Sequence, residues 1–335
     1  MVEHTLRKAL PRLFELCSLQ GRTLRNLLEK LWHERQNTRN FLEDVSMRDK
    51  TLAIGITTKD RWDDLAITLD SLRENGLHRF ETIVIDDGST KPMPRTFRGR
   101  FHWVRFHRSE SSQGCIVQRN RLAELLTAEL YLSLDDDSYP APGAQLDQAA
   151  AWLTAKQDAA ALTFAICSTS EVSSYMFHER QPYPVRYFIG CAHMVKRQLF
   201  LRLRGYTETL GHLYCEETDF ALKAWKEGFK VYKYPSVVVI HTQSVFGRNA
   251  ANANRLLTRN LIWVSAWRSP YLFFIVEVLF RVLRMFRLKT HRLHWHAVLH
   301  GYFEALAGLP KVAQFRDPVP LRSYLAWLRN PVELT

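Results

Sequence analysis

The sequence predicts an α/β domain: a mostly parallel central sheet with helices on both faces, extended at both termini by amphipathic helices. Three features predict it. From residue 51 onward, short β-branched runs alternate with stretches of helical periodicity. Two acidic clusters, Asp86-Asp87 and Asp135-Asp136-Asp137, directly follow strand-like runs. The residues before 50 and after 268 carry basic helical patterns instead. The chain divides accordingly into a basic amphipathic extension over 1–49, an α/β domain over 50–248 and a basic helical region over 249–335.

The N-terminal stretch places Leu6, Leu10, Leu13, Leu24, Leu27, Leu28 and Leu31 at helical spacing, with breaks near Pro11 and Gly21. An apolar run over 51–57 reads as the first strand and the periodic stretch 62–74 as the first helix. Strands over 81–85, 101–106 and 130–134 follow, with a helix over 116–126 between the last two. A helix after Pro142 leads to a strand over 159–166, and the loose polar stretch up to Pro184 reads as a substrate-facing insertion. A strand over 187–195, a helix over 217–227 closed by Gly228, and two strand signals over 231–234 and 236–240 complete the domain. Beyond them, the apolar run 271–280 contains Glu277 and meets Arg281, Arg284, Arg287 and Lys289. About 18 apolar residues are needed to span a bilayer, so this run is too short.

Composition narrows the partners. With 46% hydrophobic and 24% charged residues the chain is an ordinary globular protein and not a disordered one. Its net charge of +12 suits a polyanion: a nucleotide diphosphate, an anionic bilayer or nucleic acid. The basic residues gather at the two ends and build no nucleic-acid reading module, so no nucleic acid is expected. Five scattered cysteines without a CxxC pair argue for a reducing compartment, and the first residues contain no leader-like apolar run. The expectation is a cytoplasmic protein, peripheral on the inner face of the cell membrane.

In an open α/β sheet, ligands bind beyond the carboxyl ends of the strands, so both acidic clusters should point at one crevice. Asp86-Asp87-Gly88-Ser89 also has the composition of a plain turn. Three adjacent carboxylates at 135–137 repel one another unless a cation neutralises them, and a hard divalent ion is the usual solution. Glu216-Glu217-Thr218-Asp219 opens a helix, where acids also favour the dipole. His241 follows a β-branched run and should lie at the sheet edge, as a ligand or as a structural histidine.

These motifs, in this order, resemble the inverting family-2 glycosyltransferases of the GT-A fold, especially bacterial rhamnosyl- and galactofuranosyltransferases of surface-polysaccharide assembly. The resemblance runs from about Leu52 to Asn260. Residues 57–61, Thr-Thr-Lys-Asp-Arg, resemble the first nucleotide-contacting loop, with Asp60 where Asn is commoner. Asp86-Asp87-Gly88-Ser89 matches the Asp-Asp-Gly-Ser motif, and Gln113-Gly114 through Arg119-Asn120 resembles an Asn-x-Gly…Arg-Asn helix start. Asp135-Asp136-Asp137 matches the Asp-x-Asp metal motif, residues 214–220 resemble the Glu-Asp-x-Asp-Leu segment, and His241 matches the metal-binding histidine.

The resemblance implies transfer of a sugar from a UDP-, dTDP- or GDP-linked donor to a saccharide or lipid-linked acceptor. Thr58, Arg61, Asp86, Asp87, Arg119, Asp135 and Asp136 would line the nucleotide-sugar pocket, and Asp137 and His241 would hold Mg2+ or Mn2+. Glu217 would be the base, one methylene longer than the family's usual Asp. Gly190, Cys191, Glu216 and Asp219 would lie on the acceptor side, beside the loop 210–214. The rival readings are a sugar nucleotidyltransferase, which should carry a Gly-rich phosphate loop where residues 54–61 have only Gly55, and a non-catalytic nucleotide-sugar or polyanion-binding protein.

Overall fold

Strand β1 (Asp49–Thr58) is buried from Leu52 to Thr58 and β2 (Phe80–Asp86) along its whole length, because both of their faces are covered. The computed structural model describes residues 49–171, 181–242, 249–276 except 272 and 275, and 294–332. The helices expected over residues 4–39 and the basic stretch 281–289 lie outside the described residues.

Nine strands form one sheet. After β1 and β2 come β3 (Val104–Arg108), β4 (Leu130–Asp135), β5 (Ser138–Pro140), β6 (Ala159–Cys167), β7 (Tyr183–Val185), β8 (Ala192–Lys196) and β9 (Lys230–His241). Their order is β3-β2-β1-β4-β8-β6-β9-β5, with β7 also on β9. The first four are parallel; β8 then enters antiparallel to both β4 and β6. Side chains alternate between two cores, as the strand period of two requires. Ala53, Ile83 and Tyr131 face one core, while Leu52, Ile54, Val84 and Leu132 face the other.

The helices are α1 (Trp62–Glu74), α2 (Phe97–Arg100), α3 (Cys115–Leu125), α4 (Leu146–Ala155), α5 (Arg197–Arg202), α6 (Glu216–Lys226), α7 (Ala250–Arg268), α8 (Trp295–Val312) and α9 (Leu321–Leu328). Leu65, Leu69 and Leu72 of α1 and Leu146 and Leu153 of α4 fill the second core. Ile116 and Leu122 of α3, Phe220 and Leu222 of α6, and Trp263 and Trp267 of α7 fill the first. The boundary drawn at residue 248 thus separates elements that share one core.

Three strand boundaries differ from expectation for local reasons. The strand expected over 101–106 begins at Val104, because Phe101 is buried in the preceding turn against Phe97. Residues 187–191, the first part of the strand expected over 187–195, form a loop that brings Cys191 to the end of β4. The last two strand signals are one strand: its register on β6 jumps between Tyr234 and Val238, which accommodates Pro235 without a ladder N–H.

Candidate active site

Parallel register delivers the acids to one edge. Thr58 lies opposite Asp86 across β1 and β2, and Thr57 lies opposite Asp135 across β1 and β4. From the other half of the sheet, β9 pairs antiparallel with β5 so that His241 lies opposite Ser138. That register sets His241 Nε2 3.3 Å from Asp137 Oδ1. Thr242 N donates to the Asp137 carbonyl at 3.0 Å and fixes the turn between them.

Asp135, Asp137 and His241 each offer one ligand atom, and these atoms lie within 4.8 Å of one another. Sequence reasoning had put Asp135 on the ribose and base; the structure gathers it with the two expected ligands. His241 Nε2 is buried and makes no hydrogen bond among the described residues. Two carboxylates and an imidazole suit a divalent ion such as Mg2+ or Mn2+. The residues fit.

Two arginines from distant helices and loops offset this charge. Arg61 donates through Nε to Asp136 Oδ2 at 3.1 Å and through Nη1 to Asp137 Oδ2 at 3.3 Å. Asp136 is fully buried, and its burial outweighs the Arg61 charge, pushing its carboxyl up to about 7. Arg119, buried in α3, donates to Asp135 Oδ1 at 2.7 Å and to Glu216 Oε1 at 3.1 Å. One guanidinium therefore ties the acid cluster of β4 to the start of α6.

Glu217, the next residue, is half-buried. Burial first, and then the Glu216 charge, push its carboxyl up to about 8, against the pull of Arg119. Gly190 makes room for it. A Cβ at 190 would collide with Glu217 Oε1 and lie 3.1 Å from Arg119 Nη1. Ahead of α6, Tyr214 and Cys215 take left-handed backbone angles, with φ of 80° and 71°. Such strain costs about 1–3 kcal/mol per residue unless the surroundings hold it. Asn260 of α7 does so: its Nδ2 donates to the carbonyls of Leu210, Leu213 and Tyr214 at 3.1, 2.9 and 2.9 Å. Nothing in the sequence of a basic helix marked Asn260 for this task.

Two expected site residues belong to the scaffold. Asp87 was placed in the nucleotide pocket, but its carboxylate accepts from Ser112 Oγ, Gln113 N, Gly114 N and Gln118 Nε2 at 2.6–3.0 Å. It holds the loop before α3. Asp219 was placed on the acceptor side, but it is fully buried and accepts from Thr207 Oγ1 at 2.6 Å and Arg268 Nε at 2.7 Å. Two residues beyond Glu217 on a helix is a rotation of about 200°, which turns it to the opposite face. Asp86 stays at the strand end, accepting from Ser89 N at 2.8 Å beside Arg108. Cys191 contributes its carbonyl, which accepts from Ser138 Oγ at 2.6 Å.

A parallel half-sheet that presents carboxylates at one edge, joined through an antiparallel strand to a second half that returns a histidine there, is the GT-A arrangement. The chain is of the GT-A glycosyltransferase class. Residues 53–211 match the model of glycosyl transferase family 2. Glu217 and His241 lie beyond the matched stretch, so their placement rests on geometry. No curated protein sequence matches the chain significantly.

Solved structures share the fold at low identity. GalNAc-T7 with UDP, GalNAc and Mn2+ superposes with a TM-score of 0.56 at 16% identity, over 79% of this chain and 53% of that one. The chain thus spans about half the length of that relative. A mannosyltransferase from Pyrobaculum calidifontis with GDP-Man and Mn2+ gives 0.52 at 15%, over 90% and 96%. S. aureus TarS 1-349 with UDP-GlcNAc gives 0.51 at 17%, over 81% and 82%.

Proposed function

We propose that this protein is an inverting transferase that moves a sugar from a nucleoside diphosphate donor to a hydroxyl of a saccharide or lipid-linked acceptor, in surface-polysaccharide synthesis. The observation that carries the reading is one edge holding two kinds of acid. Asp135 and Asp137 converge with His241, while Glu217, tied in through Arg119 and Glu216, has the raised proton affinity that a base needs once it is ionised. Asp137, His241 and Asp135 would hold Mg2+ or Mn2+, which when bound supplies Lewis-acid stabilisation of the leaving diphosphate.

The chain's own residues do the rest. Thr58, Asp86 and Arg108 border the strand ends where the nucleoside would bind. Arg61, already aimed at Asp136 and Asp137, supplies a positive charge for the diphosphate. Glu217 takes the proton of the acceptor hydroxyl; its oxygen bonds to the anomeric carbon as the bond to the phosphate oxygen breaks. One displacement inverts the configuration, and the freed nucleoside diphosphate carries the electron pair. The protein works as a peripheral one at the inner face of the membrane.

Hydrolysis of UDP-, dTDP- and GDP-sugars, measured with Mn2+, with Mg2+ and with EDTA, tests the reading. One donor class should turn over only with metal. Formation of nucleotide sugar from sugar phosphate and a nucleoside triphosphate, with no donor hydrolysis, would make it a nucleotidyltransferase instead.

A further inference from the structure

Helix α8 carries two apolar faces, and only one of them is spent. Val298, Gly301, Ala305 and Val312 are buried on the inner face, where the Trp263 indole donates to the Ala305 carbonyl. Gly301 lies so close to the Arg255 carbonyl that no side chain would fit. On the outer face, Trp295, Leu299, Phe303 and Leu306 stand 52%, 39%, 63% and 41% exposed. At 100° per residue these four lie within an arc of about 80°, and His296 and His300 extend it to about 140°. No Asp, Glu, Lys or Arg falls in that arc; Glu304 faces back to Arg255 and Arg259. A helix apolar on one side belongs on a core, and one apolar on both sides needs something on the second.

The sequence beside this face says what covers it. Between Glu277 and Glu304 there is no acid, while Arg281, Arg284, Arg287, Lys289 and Arg292 are all cations. A second copy carries the same five cations in this stretch and brings them no counter-charge. An anionic lipid surface answers both properties at once, with acyl chains for the ring and leucine side chains and phosphates for the guanidinium groups. A tryptophan at one end of the stripe suits the headgroup boundary. No helix of the described residues is long and apolar enough to cross a membrane.

We propose that the outer face of α8, centred on Leu299 and Phe303, is the surface by which this protein rests on an anionic bilayer. The proposal rests on the peripheral reading above and stands apart from the transferase chemistry. Its test is sedimentation of the full chain with phosphatidylcholine vesicles, with and without phosphatidylglycerol, beside a Leu299→Glu, Phe303→Glu double variant. The wild type should sediment with the anionic vesicles only, and less at high salt. The double variant should partition at least ~10-fold less, with an unchanged melting temperature because both positions are exposed. Unchanged partitioning of the variant would overturn the assignment of this face. No binding to either vesicle, with dimers in sedimentation velocity that the double variant abolishes, would make the face a contact between copies. Donor hydrolysis measured in parallel, without vesicles, reports on the transferase reading separately.

Discussion

Asp87 beyond β2 and Glu217 at the start of α6 have the same chemistry and opposite tendencies. Burial works to raise Asp87, yet the Ser112 hydroxyl, the amides of Gln113 and Gly114 and the Gln118 amide outweigh it, and the carboxyl titrates below its ordinary value. Glu217 is pushed up to about 8 by burial and by the charge on Glu216. The difference teaches where the chemistry lies. A carboxylate satisfied by its own loop holds that loop, whereas one beside a second buried acid keeps its affinity for a proton.

The hardest test of that contrast is Glu217→Gln. Transfer should fall by roughly 10²–10⁴-fold, the usual worth of a positioned base, while donor and Mn2+ still bind by calorimetry. Glu217→Asp should keep partial activity. A further readout is stability against pH in the metal-free protein. Because the folded pKa of Glu217 lies above the ordinary glutamate value of 4.5, its contribution is complete below that value and is lost as pH rises through about 8. Glu217→Gln should flatten that decline, and an unchanged slope would mean the proton is held elsewhere.

Asp137→Asn and His241→Ala come next. Each should lower turnover by at least ~10²-fold and weaken Mn2+ binding, with thermal melts close to wild type. A destabilised protein with normal activity per folded molecule would make His241 a core histidine.

On the other side of the contrast, Asp87→Ala should act on the fold. Losing the charge-assisted hydrogen bonds that the buried Asp87 carboxylate accepts from its loop should cost about 3 kcal/mol, read by urea denaturation. With a depressed folded pKa, Asp87 contributes stability above the ordinary aspartate value of 3.8, lost as pH falls through its folded value. The wild type should therefore lose more stability on acidification than the variant.

Glu216→Gln is the smallest and most discriminating change. Glu216 raises Glu217 by its charge, so removing that charge should move the acid limb of the pH–rate profile to lower pH with only a mild loss of rate. Abolished transfer would transfer the base role to Glu216.

The strand ends were legible because hydrophobic runs stop sharply there, and Asp135, Asp137 and His241 follow such runs. Which acid faces inward was not, since one residue of rotation on α6 separates Glu217 from the buried Glu216 and two separate it from Asp219. The loop 187–191 read as strand because Tyr187, Phe188 and Ile189 are apolar; Phe188 instead stacks on buried His193. The shared core of α7 was hidden too. Trp263 and Trp267 lie among arginines, and only the fold shows those arginines spent on carbonyls and acids such as Leu210 O and Asp219.

Asn260 has a consequence for anyone exchanging parts between relatives. The loop ahead of Glu217 is anchored by a side chain 46 to 50 positions further along, on the helix that also backs α8. A cut at residue 248 would leave three loop carbonyls without their donor and two left-handed residues without their brace. The loop 210–214 and the outer surface of α8 therefore travel as one cassette, with Arg119 linking the strand end at Asp135 to Glu216 just beyond that loop.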